Sequence, residues 1–426
     1  MPSNRAPSRL TLWLPLLVGG LVLARPARAA EPERVSYALI IANNAGLDPK
    51  QAPLRYADDD GARYYELFAP QARETVLLSV LDAETQARHP GLAAHTQPPT
   101  RAAVKESLAR LSARMKEDKA AGKVPVLYFI FTGHGQRGAA GEGSVSLLDG
   151  PFTRTDLYTQ VLSPSPASFI HLIVDACDSY FFVNSRGALP VGPAQKVAVA
   201  QLLASRELDK FPQVGVVLST SSAQESHEWS AISAGVFSHQ VRSALAGAAD
   251  VNGDGRVEYS ELTAFIAAAS QGVEDVRGRL DIFARPPALD RSAPLTDLSR
   301  HAAMGYLLVP EGLGGRMWVE DTRGVRVADF HKESQRPMVL ALPPDRSYYL
   351  RSEGREARLT VPRAGAVVDG GSLSWSSSAV ASRGSVEEAF RDKLFSVPFG
   401  PSFYSGYVAS QGQTPVAMDD GPDLSP

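Results

Sequence analysis

Five apolar runs, 35–42, 75–81, 124–131, 169–174 and 214–219, are continuous rather than alternating and rich in β-branched residues. A strand with one wet face alternates, whereas a strand buried on both faces does not. Helical patterns lie between the runs. The clearest begins after Thr100, a predicted N-cap, with Val104, Leu108, Leu111 and Met115 on one stripe. Tyr64, Leu67 and Phe68 make another apolar face. This alternation predicts an α/β fold, a mostly parallel sheet flanked by helices.

Near residue 275 the pattern changes. Segments 306–309, 317–320, 325–330, 339–342, 348–351 and 357–361 alternate partially, with Gly or Pro in most of the gaps. They predict a small antiparallel β-sandwich. The expected organisation is a first domain over 30–275, a β-rich accessory domain over 276–371 and a tail over 372–426. The tail is rich in Ser and Gly, then aromatic at Phe390, Phe395, Phe399, Phe403, Tyr404 and Tyr407.

The first 29 residues read as a secretory signal peptide. Arg5 and Arg9 precede an apolar run from Leu10 to Ala24, and Ala27-Arg28-Ala29 supplies small residues for cleavage. The chain is therefore expected to be exported, to the periplasm, the outer cell surface or the medium. The run is short of the roughly 20 apolar residues of a span, and no later stretch is long enough. No transmembrane span is expected in the mature chain. The net charge of −3 gives no reason to expect a nucleic-acid partner. The Ala-, Gly-, Arg- and Pro-rich composition points to a bacterium with a GC-rich genome.

Cys177 is the only cysteine. An exported chain with one thiol cannot form an internal disulfide, and an odd thiol in an oxidising compartment is a liability unless it is used. Counting alone favours a buried, inert thiol. Position argues otherwise. The apolar run ending at Phe131 leads into Thr132-Gly133-His134-Gly135, and the run ending at Val174 leads into Asp175-Ala176-Cys177-Asp178-Ser179. Each residue follows the carboxyl end of a predicted buried strand, the edge where open α/β sheets assemble their sites. If the strands are neighbours, an imidazole can supply the thiolate. The backbone N–H groups of Gly135 and Cys177 could then form an oxyanion hole. A serine hydrolase is not expected, because no Gly-x-Ser-x-Gly elbow follows a strand.

A strand ending in His-Gly, followed about forty residues on by one ending in Asp-Ala-Cys, resembles the caspase-type cysteine peptidases. The Asp-x-Cys form is nearer the metacaspase branch. Leu54, Ala57 and Asp60 resemble an early block of that family, with Gly61 standing where the family has Ala. Gly235-Val236-Phe237-Ser238 resembles a later one. The resemblance spans roughly residues 35–250. It implies a polypeptide substrate, with Cys177 as nucleophile, His134 as general base and Gly135 at the oxyanion. It also implies a first pocket with Asp60 and Asp175 at its floor and Thr132 beside them, suited to Arg or Lys. Arg55 leaves open the opposite preference, cleavage after Asp. Arg186 and Lys196 lie in a segment that the resemblance marks for self-processing.

Residues 250–261 fit the twelve-residue EF-hand loop. Asp250, Asn252, Asp254, Glu258 and Glu261 supply side-chain oxygens at places 1, 3, 5, 9 and 12, Arg256 would give its carbonyl, and Gly255 holds the turn. The expected ion is Ca²⁺, as a structural clip. His171 reads as a satisfied core residue, while His227, Glu228 and Trp229 read as a cleft wall. The competing functional reading is a non-catalytic calcium-binding interaction protein that keeps the fold.

Overall fold

The strand Arg34–Asn43 (β1) shows how a long apolar run is used. Ala38 and Ile40 join one apolar cluster, while Tyr37, Leu39 and Ile41 join another on the opposite face. The strand Val124–Gly133 repeats this, with Val126, Tyr128 and Ile130 on one side and Leu127, Phe129 and Phe131 on the other. A side-chain period of two with both faces buried requires an apolar residue at every position.

The computed structural model describes residues 32–138, 141–177, 179–184, 208–219, 228–273, 280, 282–300, 303–377 and 392–418. The signal-peptide expectation, Arg186, Lys196, Asp178, His227 and Phe390 lie outside them. The main sheet holds β1, Glu74–Ser79 (β2), Thr96–Gln97 (β3), Val124–Gly133 (β4), Phe169–Asp175 (β5), Val214–Ser219 (β6) and Ile282–Arg285 (β7). Their order is β7-β6-β5-β4-β1-β2-β3. Neighbours are parallel except β7, which runs antiparallel on β6. The sheet thus runs past residue 275.

The helices Ala57–Phe68 (α1), Arg101–Ala120 (α2), Val236–Ser243 (α3) and Tyr259–Gln271 (α4) flank it. The Thr100 side chain accepts from Ala103 N at 3.2 Å, and Val104, Leu108, Leu111 and Met115 are buried on one face of the sheet. On the other face lie Tyr64, Leu67 and Phe68 of α1. Distant residues cap α1. Asn44 Oδ1 takes the N–H groups of Ala57 and Asp58, at 2.9 and 3.2 Å. Because α1 begins at Ala57, Asp60 lies inside its first turn.

The β-rich part contains Gly305–Val309 (β8), Gly315–Asp321 (β9), Arg326–Lys332 (β10), Met338–Leu342 (β11), Arg346–Ser352 (β12), Arg355–Val361 (β13), Val367–Asp369 (β14) and Trp375–Ser377 (β15). They form two sheets, β11-β8-β14 and β10-β9-β12-β13-β15. Pairing is antiparallel except between β8 and β14, a departure from the all-antiparallel expectation. The crossover through five intervening strands makes that parallel pairing available. Leu307, Met317, Val319, Phe330 and Leu350 share one apolar cluster with Val241, Leu245 and Phe265. The β-rich part therefore has no separate core. Leu394, Phe395, Phe399 and Tyr404 join the same cluster, and a last helix, Pro401–Ser410 (α5), follows Phe399.

His239 of α3 and Asp329 of β10 tie the two parts together. The imidazole Nε2 lies 2.7 Å from Asp329 Oδ2, each side chain is 1% exposed, and Nδ1 has no hydrogen-bond partner among the described residues. The ring is therefore neutral, with its proton on Nε2. Burial lowers its pKa to about 4 although Asp329 pulls the other way. The unfolded chain protonates this histidine below about 6.5 and the folded chain resists. Its contribution to stability is thus full above that pH and lost as pH falls toward 4. Between pH 7.5 and 4.5 the loss is expected to be on the order of 3 kcal/mol. Urea unfolding of wild type and His239→Asn at both pH values measures it. An equal loss in the variant would show that His239 is not the sensor.

Candidate active site

β4 and β5 are neighbours, and their last register pair is Thr132↔Asp175. Two positions further along each chain stand His134 and Cys177, so both leave the sheet at the same carboxyl edge. They line one narrow cleft, ≈ 50 Å³, together with Thr132, Asp60, Asp175 and Gly235. Gly135 has a steric reason. A Cβ there would lie 2.0 Å from the carbonyl oxygen of Cys177, so any larger residue would push the two loops apart.

His134 is 7% exposed. Its Nδ1 lies 2.8 Å from Gln51 Nε2, while Nε2 is buried without a hydrogen-bond partner among the described residues. Burial lowers its pKa, with a smaller opposing effect from the Ala52 backbone. The ring is thus neutral near pH 7, the protonation state a base needs. The amide N–H donates to Nδ1 as placed. Rotating the isosteric amide by half a turn presents Oε1 instead, which puts the ring proton on Nδ1 and leaves Nε2 as the basic nitrogen. Cys177 is half-buried.

The two floor carboxylates are held by the block 235–238 and by α3. Asp60 Oδ2 accepts from Gly235 N at 2.8 Å, and Oδ1 accepts from Arg242 Nη1 at 2.8 Å. Asp175 Oδ2 accepts from Ser238 Oγ at 2.6 Å and from Ser238 N at 3.2 Å. A Cβ on Gly235 would lie 2.9 Å from the Asp60 carboxylate and 3.1 Å from that of Asp175. Burial pushes the Asp60 carboxyl up to about 7, against the pull of Arg242 and Arg63. Its two close N–H donors are partners of a carboxylate, so we take the ionised form as the one the site holds.

Two residues near the site, Gln51 and Arg242, escape a reading of the sequence, whereas Glu228 stands where the cleft-wall expectation put it. Gln51 carries no local signal. Arg242 carries none either, because its helix Val236–Ser243 mixes apolar residues with Ser238, His239, Gln240 and Ser243. Glu228 lines the cleft, and its Oε1 accepts from Arg55 N and Tyr56 N at 2.8 and 2.9 Å. Trp229 is 2% exposed and belongs to the core, so it does not wall the cleft. His171 is satisfied in the core, with Nδ1 2.7 Å from the Tyr259 hydroxyl.

The loop 250–261 forms a closed turn. Asp250 accepts from Gly253 N and Gly255 N, at 2.7 and 2.9 Å. Asn252 accepts from Asp254 N at 3.1 Å, and Asp254 from Arg256 N at 2.8 Å. Glu261 accepts from Glu258 N and Val251 N, at 2.8 and 3.1 Å. Gly255 has φ +78°, a value that favours glycine. Arg256 and Val257 pair antiparallel with Asp297 and Thr296, which braces the turn from outside. The Arg256 side chain turns to Asp297 at 3.5 Å and leaves only its carbonyl as a candidate ligand. Burial, aided by Asp254, pushes the carboxyls of Asp250 and Glu258 to about 7, and burial raises that of Glu261 well above the usual carboxylate range. Among the described residues, no group of three or more His, Cys, Asp or Glu side chains converges as a ready ligand set. The backbone turn and the order of oxygen donors suit a cation, whereas the carboxylates face backbone N–H groups. Also among the described residues, no helix is long and apolar enough to cross a membrane.

No family model matches the chain, and no curated protein does. Among solved structures, a protein from Geobacter sulfurreducens is 18% identical, covering 63% of this chain and 100% of its own, with a TM-score of 0.33. A second similar structure, pro-sf-caspase-1, is 12% identical over 47% of this chain and 68% of its own, with a TM-score of 0.25. Neither likeness is close enough to assign the chain to a family.

Proposed function

We propose that this chain is an exported, caspase-like cysteine endopeptidase. One observation carries the reading: the only thiol of the chain and a buried neutral imidazole open into one cleft above two carboxylates. His134 takes the proton from Cys177 Sγ, and the thiolate adds to the substrate carbonyl carbon. The backbone N–H groups of Gly135 and Cys177 are assigned to the resulting oxyanion. Collapse of the adduct breaks the C–N bond, and the amine leaves with the proton from His134. Water, deprotonated by the same ring, then adds to the thioester, and collapse releases the acid and the thiol.

Asp60, Asp175 and Thr132 line the cleft and are assigned to meet the substrate's Arg or Lys, with Arg242 holding Asp60 in place. Loop 250–261 is assigned to Ca²⁺ through the side chains of Asp250, Asn252, Asp254, Glu258 and Glu261 and the carbonyl of Arg256. The ion would supply cross-linking of the loop rather than chemistry.

The test is hydrolysis of paired fluorogenic peptides ending in Arg or Asp, by the chain and by Cys177→Ala, in Ca²⁺ or chelator. Cleavage after Arg that disappears in Cys177→Ala is expected, together with a fall in Tm of several degrees on chelation. Cleavage after Asp would overturn the pocket assignment. No cleavage of either peptide, with Cys177 inert to iodoacetamide in the folded chain, would overturn the enzyme and favour the binding protein. An unchanged Tm would remove the ion.

A further inference from the structure

Behind the cleft lies a second cavity, ≈ 40 Å³, walled by α1, by α3 and the turn after it, and by β10 to β12. Four arginines line it, Arg63, Arg242, Arg326 and Arg346, against a single carboxylate, Glu66. That carboxylate is already satisfied. Glu66 lies 3.1 Å from His89 Nδ1, takes both ends of Arg323 at 2.9 and 3.0 Å, and takes Arg346 at 3.0 Å.

Two of the four guanidinium groups, those of Arg63 and Arg242, are only partly satisfied among the described residues. Arg63 donates Nη2 to the Ile232 carbonyl at 2.8 Å, yet its Nε and Nη1 are buried without an acceptor among the described residues. Arg242 gives Nη1 to Asp60, and its Nη2 is likewise buried without an acceptor. Their side chains are 4% and 3% exposed. The nearby acids are engaged elsewhere. Asp59 pairs with Arg88 at 2.9 Å and stands 4.0 Å from Arg63, and Asp329 takes Arg326 at 3.3 Å. Buried N–H groups of a cation nearly always find acceptors. Here three such nitrogens on two neighbouring cations at the wall of one cavity have no acceptor among the described residues, and burial together with Arg242 lowers the pKa of Arg63 to about 10.

We propose that this cavity binds a small oxyanion through Arg63 and Arg242, with Arg326 and Arg346 adding charge at its margin. Guanidinium forks match the spacing of oxyanion oxygens and make charge-assisted hydrogen bonds to them. A water molecule could accept one of these bonds, but it brings no countercharge. Arg242 is shared with Asp60, so the anion site and the cleft floor lean on one side chain. The site stands on these contacts whether or not the chain cuts peptides, and its test uses no substrate.

The experiment is calorimetric titration of the full chain with inorganic phosphate, sulfate and acetate at constant ionic strength, with chloride as the balancing salt. Saturable binding of at least one oxyanion at about 1 mM or tighter is expected, with Tm rising accordingly. Phosphate and sulfate alone would identify a tetrahedral anion, and acetate alone a carboxylate. Arg63→Met is expected to weaken binding by about 10-fold or more. Should that variant fail to fold, Arg346→Gln, at the more exposed margin, is expected to weaken binding about 3-fold. No saturable heat with any oxyanion, or unchanged affinity in the folded variants, would overturn the site.

Discussion

His134→Ala is expected to lower kcat/KM for peptide hydrolysis by about 10³-fold or more while the chain still folds. The thiol at its ordinary pKa is mostly protonated at neutral pH. The ring is the base assigned to its proton and the acid assigned to the leaving amine, so its removal affects both half-reactions. The same ring dictates the pH profile. Burial lowers its pKa, so the neutral base persists below the ordinary histidine value of about 6.5, and the acid limb of kcat/KM falls below that pH. Gln51 is a positioning residue for this ring. Gln51→Ala exposes the imidazole and is expected to move the acid limb upward with a smaller loss of rate, about 10-fold. Gln51→Glu places a negative charge beside the ring and should move the limb higher still. Activity of His134→Ala within 10-fold of wild type would remove the histidine from the mechanism.

Asp60→Asn is expected to cost about 3–5 kcal/mol of folding stability, because it leaves buried cations without their countercharge. Arg242 is 3% exposed and holds Asp60 at 2.8 Å, and Arg63 stands in the same buried group. The amide keeps the shape and loses the charge. The double variant Asp60→Asn/Arg242→Met removes the orphaned cation as well and is expected to recover about half of the loss. Urea unfolding midpoints of wild type, both single variants and the double variant close the cycle. A loss under about 1 kcal/mol in Asp60→Asn would show that the carboxyl is protonated in the folded chain.

Much of the fold was legible because fully buried parallel strands demand apolar side chains at every position. The runs that became β1, β2, β4, β5 and β6 carry that demand within a few residues each. The Thr100 cap and the α2 stripe are equally local. Residues 282–285 are harder to read. The strand there pairs antiparallel at the sheet's edge, all four of its residues are only partly buried, and its apolar run is just the three residues Ile282, Phe283 and Ala284. The parallel pairing of β14 on β8 is a choice of partner, which no local pattern encodes.

For the site, the sequence by itself determined that a histidine and the sole cysteine each follow the carboxyl end of a buried strand. Loop 250–261 was likewise readable, because its oxygens and its glycine lie within twelve positions. Only the tertiary structure decided that β4 and β5 are neighbours, so that the two residues share a cleft. It alone brought Gln51 to His134 across 83 positions and Arg242 to Asp60 across 182. A hydrogen bond reads a distance of a few ångströms and is blind to separation along the chain. Such partners leave no spacing in the sequence to find, and the packing of α1 and α3 on the sheet brings them together.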